Sequence, residues 1–309
     1  MTTLCGALVH AFSVDGERGN SAFVFETLAH ERVAIDACIA MATGLQSEVT
    51  WVQREAAPSQ IVLRFFTPGG EIAFCGHGTL AAAAWLANRD GSAADWLFDI
   101  GGTPVRVEQD ARGRWSYLQE EAATQPIDGG EALVDAALAL GLPDASAIRG
   151  AGAKLARSVG APREKLFVEL PDAAGLRDIA IDAARRDALC ERLGTTGVYV
   201  FSVCHTGPAP RIVARHFPIR CGSQEDMATG GIAPTAVRHA GFVLAAGEVI
   251  IDQGGPDCRN ARLVVSAART GTARRVAGEC VVGRDTPFAD VIAPTPEYRR
   301  MNPKPPAGA

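Results

Sequence analysis

Apolar and polar positions alternate along the chain with a period that changes from segment to segment. Leu8–Ser13 and Ser21–Glu26 carry the β-rich pattern of two strands, joined across the turn residues Asp15 to Asn20. Glu31–Met41 has apolar residues at helical spacing and ends near Gly44. Strands are predicted at Val49–Gln53 and Ile61–Phe66, the second closed by Thr67-Pro68-Gly69-Gly70. Leu80–Ala87 (LAAAAWLA) is apolar on every side, which predicts a helix buried all round, with Thr79 as its N-cap. Short strands follow at Leu97–Ile100, Pro104–Glu108 and Arg114–Gln119, and Glu121–Gly130 then breaks the pattern as a linker would.

The pattern restarts beyond that break. Glu131–Leu140 predicts a helix, Lys165–Leu170 a strand, and Leu176–Leu193 a longer amphipathic helix. Val198–Val203 and Arg211–Phe217 predict strands. Pro218–Gly241 ends in a helix opened by Gly230-Gly231, with Pro234 tolerated in its first turn and Gly241 as its stop. Val249–Asp252, Ala261–Ala267 and Arg274–Val282 are closing strands, and Thr295–Ala309 is a Pro-rich tail. The halves echo each other. Arg64-Phe65-Phe66 precedes His77-Gly78-Thr79-Leu80, and Arg215-His216-Phe217 precedes Thr229-Gly230-Gly231-Ile232. Each half gives strand, polar loop, Gly-rich helix mouth and apolar helix, so an internal duplication is expected. Many strands against one or two long helices predict an α+β fold. Each half would curl a mostly antiparallel sheet over a central helix. The expected domains are residues 1–122 and 123–290, with the last strands able to return to the first domain, and 291–309 as the tail.

Composition narrows the function. A chain of 309 residues has room for two domains. Its net charge of −5, with both signs dispersed and no basic stripe, excludes a nucleic-acid partner. The apolar runs fall short of the ~18 residues that span a bilayer, so no membrane role is expected. The start MTTLCGALVHAF lacks the charged and apolar regions of a secretory signal. Eight cysteines lie scattered without C-x-x-C pairs, which argues against a zinc site and a disulfide framework and for a reducing, cytoplasmic setting. No G-x-G-x-x-G and no Walker loop is present, so no nucleotide, flavin or metal cofactor is expected.

The chemistry concentrates at Cys75-Gly76-His77-Gly78-Thr79, a thiol, an imidazole and a hydroxyl at the mouth of the apolar helix. Glycines there leave backbone N–H groups open, and the helix dipole favours an anion such as a substrate carboxylate at the same spot. The alternative is a Gly-rich turn capping a core helix, with Cys75 a small buried hydrophobe. Glu48, just ahead of a strand, is by itself the kind of carboxylate that water solvates.

Taken together, these residues resemble a known family. Val9-His10-Ala11-Phe12, Gly19-Asn20, Ser47-Glu48, Phe66-Thr67-Pro68, Glu71, Cys75-Gly76-His77-Gly78-Thr79-Leu80, Arg215-His216-Phe217, Glu225-Asp226-Met227-Ala228-Thr229-Gly230 and Gln253-Gly254 follow the order seen in PhzF-like isomerases, relatives of the diaminopimelate epimerases. The resemblance runs from about residue 7 to about residue 284. It implies two similar domains of diaminopimelate epimerase-like fold, each a curved sheet or barrel round a central helix, with the active site between them. It implies a cofactor-free, homodimeric isomerase of a small unsaturated or cyclic carboxylic acid in specialised-metabolite biosynthesis. Glu48 would be the general acid/base, with His77 and Asp226 beside the substrate. Asn20, Gly76, Gly78, Thr79, Thr229, Gly230 and Gly231 would bind it.

The chain departs from that family at Ser21, where a proline is usual, and at Gly231, where a serine is usual. Cys75 stands where the epimerases keep one thiol, but their second thiol would fall near Met227 or Ala228. Cys221 lies too early to replace it. An epimerase or racemase using Cys75 with a carboxylate is therefore the alternative, and a non-catalytic carboxylate-binding protein a further one.

Overall fold

The computed structural model describes residues 5–28, 33–54, 61–91, 95–148, 155–161, 163–204, 209–219, 224–244, 247–268, 272–287 and 291. The expected tail Thr295–Ala309 and Cys221 lie outside the described residues, as do Glu31 and Arg32 of the first expected helix. The first half runs β1 (Cys5–Ser13), β2 (Asn20–Leu28), α1 (Ile35–Leu45), β3 (Glu48–Arg54), β4 (Ile61–Thr67), β5 (Gly70–Ile72), α2 (Gly76–Asp90), β6 (Asp95–Ile100), β7 (Thr103–Gln109) and β8 (Trp115–Gln119). The second runs β9 (Ala123–Pro126), α3 (Gly130–Ala139), β10 (Leu155–Val159), β11 (Leu166–Glu169), α4 (Ala183–Leu193), β12 (Gly197–Cys204), β13 (Arg211–Pro218), α5 (Ala233–His239), β14 (Glu248–Gln253), β15 (Ala261–Ala267) and β16 (Arg274–Pro287).

All strands join one sheet, and part of it closes on itself. The order β1-β2-β3-β4-β6-β7-β8-β16, with β16 pairing back to β1, makes an eight-stranded barrel. From β16 the sheet continues as β15-β14-β13-β12-β11-β10-β9. β16 is a shared wall. Residues 274–277 pair with both β8 and β15, Gly278 pairs with β8, and β1 pairs within 279–287. Neighbouring strands are antiparallel except β2–β3, β4–β6, β11–β12 and β13–β14. Parallel neighbours need a crossover, and these connections carry α1, α2, α4 and α5 in turn. Each half therefore repeats one run of elements.

Side-chain size explains which helices go inside. An eight-stranded barrel is narrow, and Ala81, Ala82, Ala83 and Ala84 keep α2 slim enough to fill it. Residues His77 to Leu86 of α2 are all buried. Trp85 ties the helix to the wall, its Nε1 donating to Asp285 Oδ1 at 3.2 Å. α5 lies in the second half's core through Ala233, Ala236 and Val237. Outside the barrel, α1 packs Cys38, Met41 and Ala42 on Phe23, Phe25, Trp51 and Phe66. α3 and α4 cover the outer face of the second half's strands. No described helix is long and apolar enough to cross a membrane.

Several boundaries differ from the sequence expectation. The cap of α2 is Cys75, whose Sγ accepts from Gly78 N, while Thr79 sits inside the helix and returns its hydroxyl to Cys75 O at 2.8 Å. The helix expected over Leu176–Leu193 begins only after Asp182, which caps it by accepting from Arg185 N at 3.0 Å. Upstream, the Leu176 and Ile179 carbonyls accept from Arg215 Nη1 at 3.0 and 3.2 Å and so do not serve a helix. Part of the expected linker is β9, a polar edge strand defined by its pairing with β10 rather than by any apolar alternation.

Candidate active site

The same Arg-x-Phe device sits on β4 and β13. Arg64 lies over the Phe66 ring at 5.4 Å and forks onto Glu71 at 2.7 and 2.8 Å. Arg215 lies over the Phe217 ring at 4.9 Å and forks onto Glu225 at 3.1 and 2.8 Å. The second fork is buried and places the residue next to it. Asp226 N donates to His216 O at 2.9 Å, so the loop carrying Asp226 docks back on β13.

Glu48 opens β3, and its Oε2 lies 3.2 Å from Nε2 of His77 in the first turn of α2. Asn20 opens β2 and joins the halves. Its Nδ2 donates to Asp226 Oδ1 at 2.8 Å and to Ala228 O at 3.1 Å, and lies 3.3 Å from His77 Nδ1. The Asn20 side chain is thus a strut between His77 and Asp226, and it is 8% exposed. Both amide hydrogens are committed to Asp226 and Ala228. His77 Nδ1 therefore faces a donor, and a proton there would point at it. In the singly protonated ring the proton sits on Nε2, towards Glu48.

Cys75 Sγ lies 3.5 Å from both ring nitrogens of His77. A sulfur equidistant from both cannot lie in the ring plane without colliding with Cε1. It lies over the imidazole face, and neither contact has the direction of a hydrogen bond. Burial works against charge on His77, but the Cys75 sulfur and the Glu48 carboxylate outweigh it and raise its proton affinity well above the ordinary range.

Asp226 is held the other way. Burial raises a carboxyl pKa, yet the His216 imidazole, then the His77 charge and the Thr229 hydroxyl, lower it to about 2. Burial, and then the Lys165 charge, push His216 itself down to about 4. His216 is therefore neutral near neutral pH, and what it gives Asp226 there is a hydrogen bond.

The expected binding residues at the two helix mouths stand in different surroundings. Gly78 N donates to Cys75 Sγ at 3.3 Å and Thr79 N to Cys75 O at 2.9 Å, so both hold the helix start. Gly231 is exposed with open space around it. Gly76 and Gly230, at the two helix mouths, both abut the Tyr117 hydroxyl, and a Cβ on either would lie 2.2 or 2.4 Å from it. That hydroxyl is buried without a hydrogen-bond partner among the described residues, and burial, then the Cys75 charge, raise its pKa. The sequence analysis gave no role to Tyr117, His216 or Gln253. A signal existed for His216, since the matching position of the first half is the apolar Phe65. Among the described residues no group of three or more His, Cys, Asp or Glu side chains is placed to hold a metal ion.

Comparison with known proteins shows the family of the chain. An uncharacterized isomerase of Deinococcus radiodurans is 33% identical over 175 residues, covering 54% of each chain, so the matched stretch spans about half of that relative. An uncharacterized isomerase of Pseudomonas aeruginosa is 30% identical over 226 residues, covering 72% of this chain and 76% of its own. The crystal structure of a PhzF-family phenazine biosynthesis protein from Bacillus anthracis superposes with a TM-score of 0.77 at 17% identity, covering 93% of this chain and 99% of its own. One from Enterococcus faecalis gives 0.69 at 20% identity, covering 92% and 98%. The profile of the phenazine biosynthesis-like proteins, PhzC-PhzF, matches residues 9–285. By sequence profile over nearly its whole length, and with the same fold, the chain belongs to the PhzC-PhzF family.

Proposed function

We propose that this protein is an isomerase of a small unsaturated or cyclic carboxylic acid, acting by general acid/base catalysis without a cofactor. The observation that carries this is the Glu48–His77 pair, held to Asp226 of the other half by one asparagine. Glu48 is 29% exposed at its side chain, while His77 is 8%. One Glu48 oxygen is engaged by His77, and the other, which has no partner among the described residues, takes the proton. In the proposed step, Glu48 removes a proton from a carbon conjugated to the substrate carboxylate. The C–H electrons form a new double bond as the old one shifts. Glu48 then returns the proton to a different carbon. Charge that develops on the carboxylate is stabilised by the N-terminus of α2, where Gly76 and His77 N–H groups open the helix. Asp226, held as an anion, orients the substrate and Asn20 rather than taking protons near neutral pH.

The test is incubation with a panel of small unsaturated and cyclic carboxylic acids in deuterated water, read by NMR. A shifted double bond with deuterium at the new C–H position supports the proposal. Label with inversion at one carbon would replace it with the epimerase alternative. Neither change across the panel, with saturable binding, would leave a carboxylate-binding protein.

A further inference from the structure

We propose that His216 is a positioning residue that acts through Thr229 to fix the Asp226 carboxylate in the candidate site. This rests on the functional reading above only in giving Asp226 a task, since the geometry stands independently. The Thr229 hydroxyl has one proton and three neighbours: Asp226 Oδ2 at 2.9 Å, His216 Nδ1 at 2.9 Å and Gln253 Nε2 at 2.8 Å. The Gln253 amide nitrogen is itself a donor, and giving the proton to His216 Nδ1 would leave Asp226 Oδ2 facing two bare acceptors, the hydroxyl oxygen at 2.9 Å and Nδ1 at 3.3 Å. The hydroxyl therefore donates to Asp226 and accepts from Gln253. It also accepts from His216, which fixes the proton of the neutral imidazole on Nδ1.

Gln253 secures the arrangement. Its Nε2 also donates to Asp226 O at 2.9 Å, and its Oε1 accepts from Tyr199 Oη at 3.3 Å and Thr229 N at 3.4 Å. His216 Nδ1 also reaches Asp226 Oδ2 directly at 3.3 Å. Its other nitrogen, Nε2, is buried without a hydrogen-bond partner among the described residues, beside Gly197, where a Cβ would lie 2.8 Å away. Packing alone does not call for an imidazole here. The corresponding strand position in the first half holds Phe65, and both residues are buried. One nitrogen of His216 is left without a partner among the described residues, while the other serves Thr229 and Asp226. The groups facing this pair are Asn20 from β2, His77 from α2, Tyr199 from β12, and the Lys165 and Arg163 charges ahead of β11.

Two substitutions separate this role from bulk packing. The side-chain amide nitrogen of His216→Asn can stand where Nδ1 stands and still donate, whereas His216→Met fills space but donates nothing. Full-length protein labelled with 15N-histidine and 13Cγ-aspartate is followed by NMR, with Asp226→Asn assigning the Asp226 signal. The expected result is a neutral His216 with its proton on Nδ1 at pH 7. Asp226 should titrate near 2 in the parent and in His216→Asn, and about one pH unit higher or more in His216→Met. Far-UV and near-UV circular dichroism establish that each variant is folded. A His216 proton on Nε2, or an Asp226 titration unmoved in folded His216→Met, overturns the proposal. Neither readout depends on turnover. Failure of the isomerase reading would appear instead as no shifted double bond across the deuterium panel, with both NMR readouts as expected.

Discussion

At the scale of single residues, two neighbours of His77 have different expected roles. Glu48 is partly exposed and engages the ring through one carboxylate oxygen, whereas the Cys75 sulfur lies over the imidazole face and accepts from Gly78 N. Glu48→Gln keeps size and polarity but removes the base. Turnover of a substrate found in the deuterium screen should fall by ~10²–10⁴-fold while binding survives. Cys75→Ala should keep most turnover and lose about 1 kcal/mol of stability with the helix cap. A loss of ~10³-fold in folded Cys75→Ala would favour the epimerase alternative. Near-normal rates in Glu48→Gln would leave Asp226 as the remaining carboxylate. Glu48, His77 and Asp226 were legible as a set because each sits in a short motif. The bridging role of Asn20 was not, because its partner Asp226 lies in the other half of the chain.

Elements show how similar local sequence yields different energetics. The two Arg–Glu forks look alike in sequence and in geometry, but Arg64 and Glu71 are 28% and 38% exposed at their side chains, while Arg215 and Glu225 are 8% and 11%. An exposed pair contributes about 0–1 kcal/mol. Removing one partner of a buried pair leaves an uncompensated charge and costs about 3–5 kcal/mol. Glu71→Gln should therefore barely change the urea midpoint, and Glu225→Gln should lower it strongly and displace the adjoining Asp226. Equal effects in the two variants would mean that burial does not distinguish the forks. The amphipathic pattern of residues 176–193 mispredicted the helix start because Leu176 and Ile179 are buried, as a helix face would be, yet their carbonyls are taken by Arg215.

The whole molecule carries a pH dependence whose sign follows from three groups, the buried His77 and His216 and the partly buried Asp226. The His216 pKa is lowered from 6.5 to about 4, so the unfolded chain binds a proton in that interval and the folded one does not. Stability should fall by about 3 kcal/mol as pH drops from 6.5 to 4. The Asp226 pKa is lowered from 3.8 to about 2, and its contribution is lost below that first interval, by about 2 kcal/mol more. His77 is raised, so its contribution is full below 6.5 and lost as pH rises through the folded value. Together these groups place their maximum contribution near pH 6.5. Urea unfolding across pH should show the acid slope, and His216→Met should flatten it between 6.5 and 4. Stability that rises on acidification through this range would contradict the assignment.

The sequence by itself determined which segments could be buried and which could be strands or helices. Those properties depend on spacing and side-chain size within a few residues. An all-apolar run of small residues specified the inner helix α2, and the repeated Arg-x-Phe strand followed by glycines marked the two helix mouths. Tertiary structure decided what meets across the chain. A strand's alternation names two faces but not the strand beside it, so the closure of the barrel by β16 was not readable from Arg274–Pro287 alone. β9 became a strand because β10 lay beside it. The same holds for the site. Tyr117 stands between Gly76 and Gly230, and His216 reaches Asp226 through Thr229, only because β8 and β13 place those side chains there.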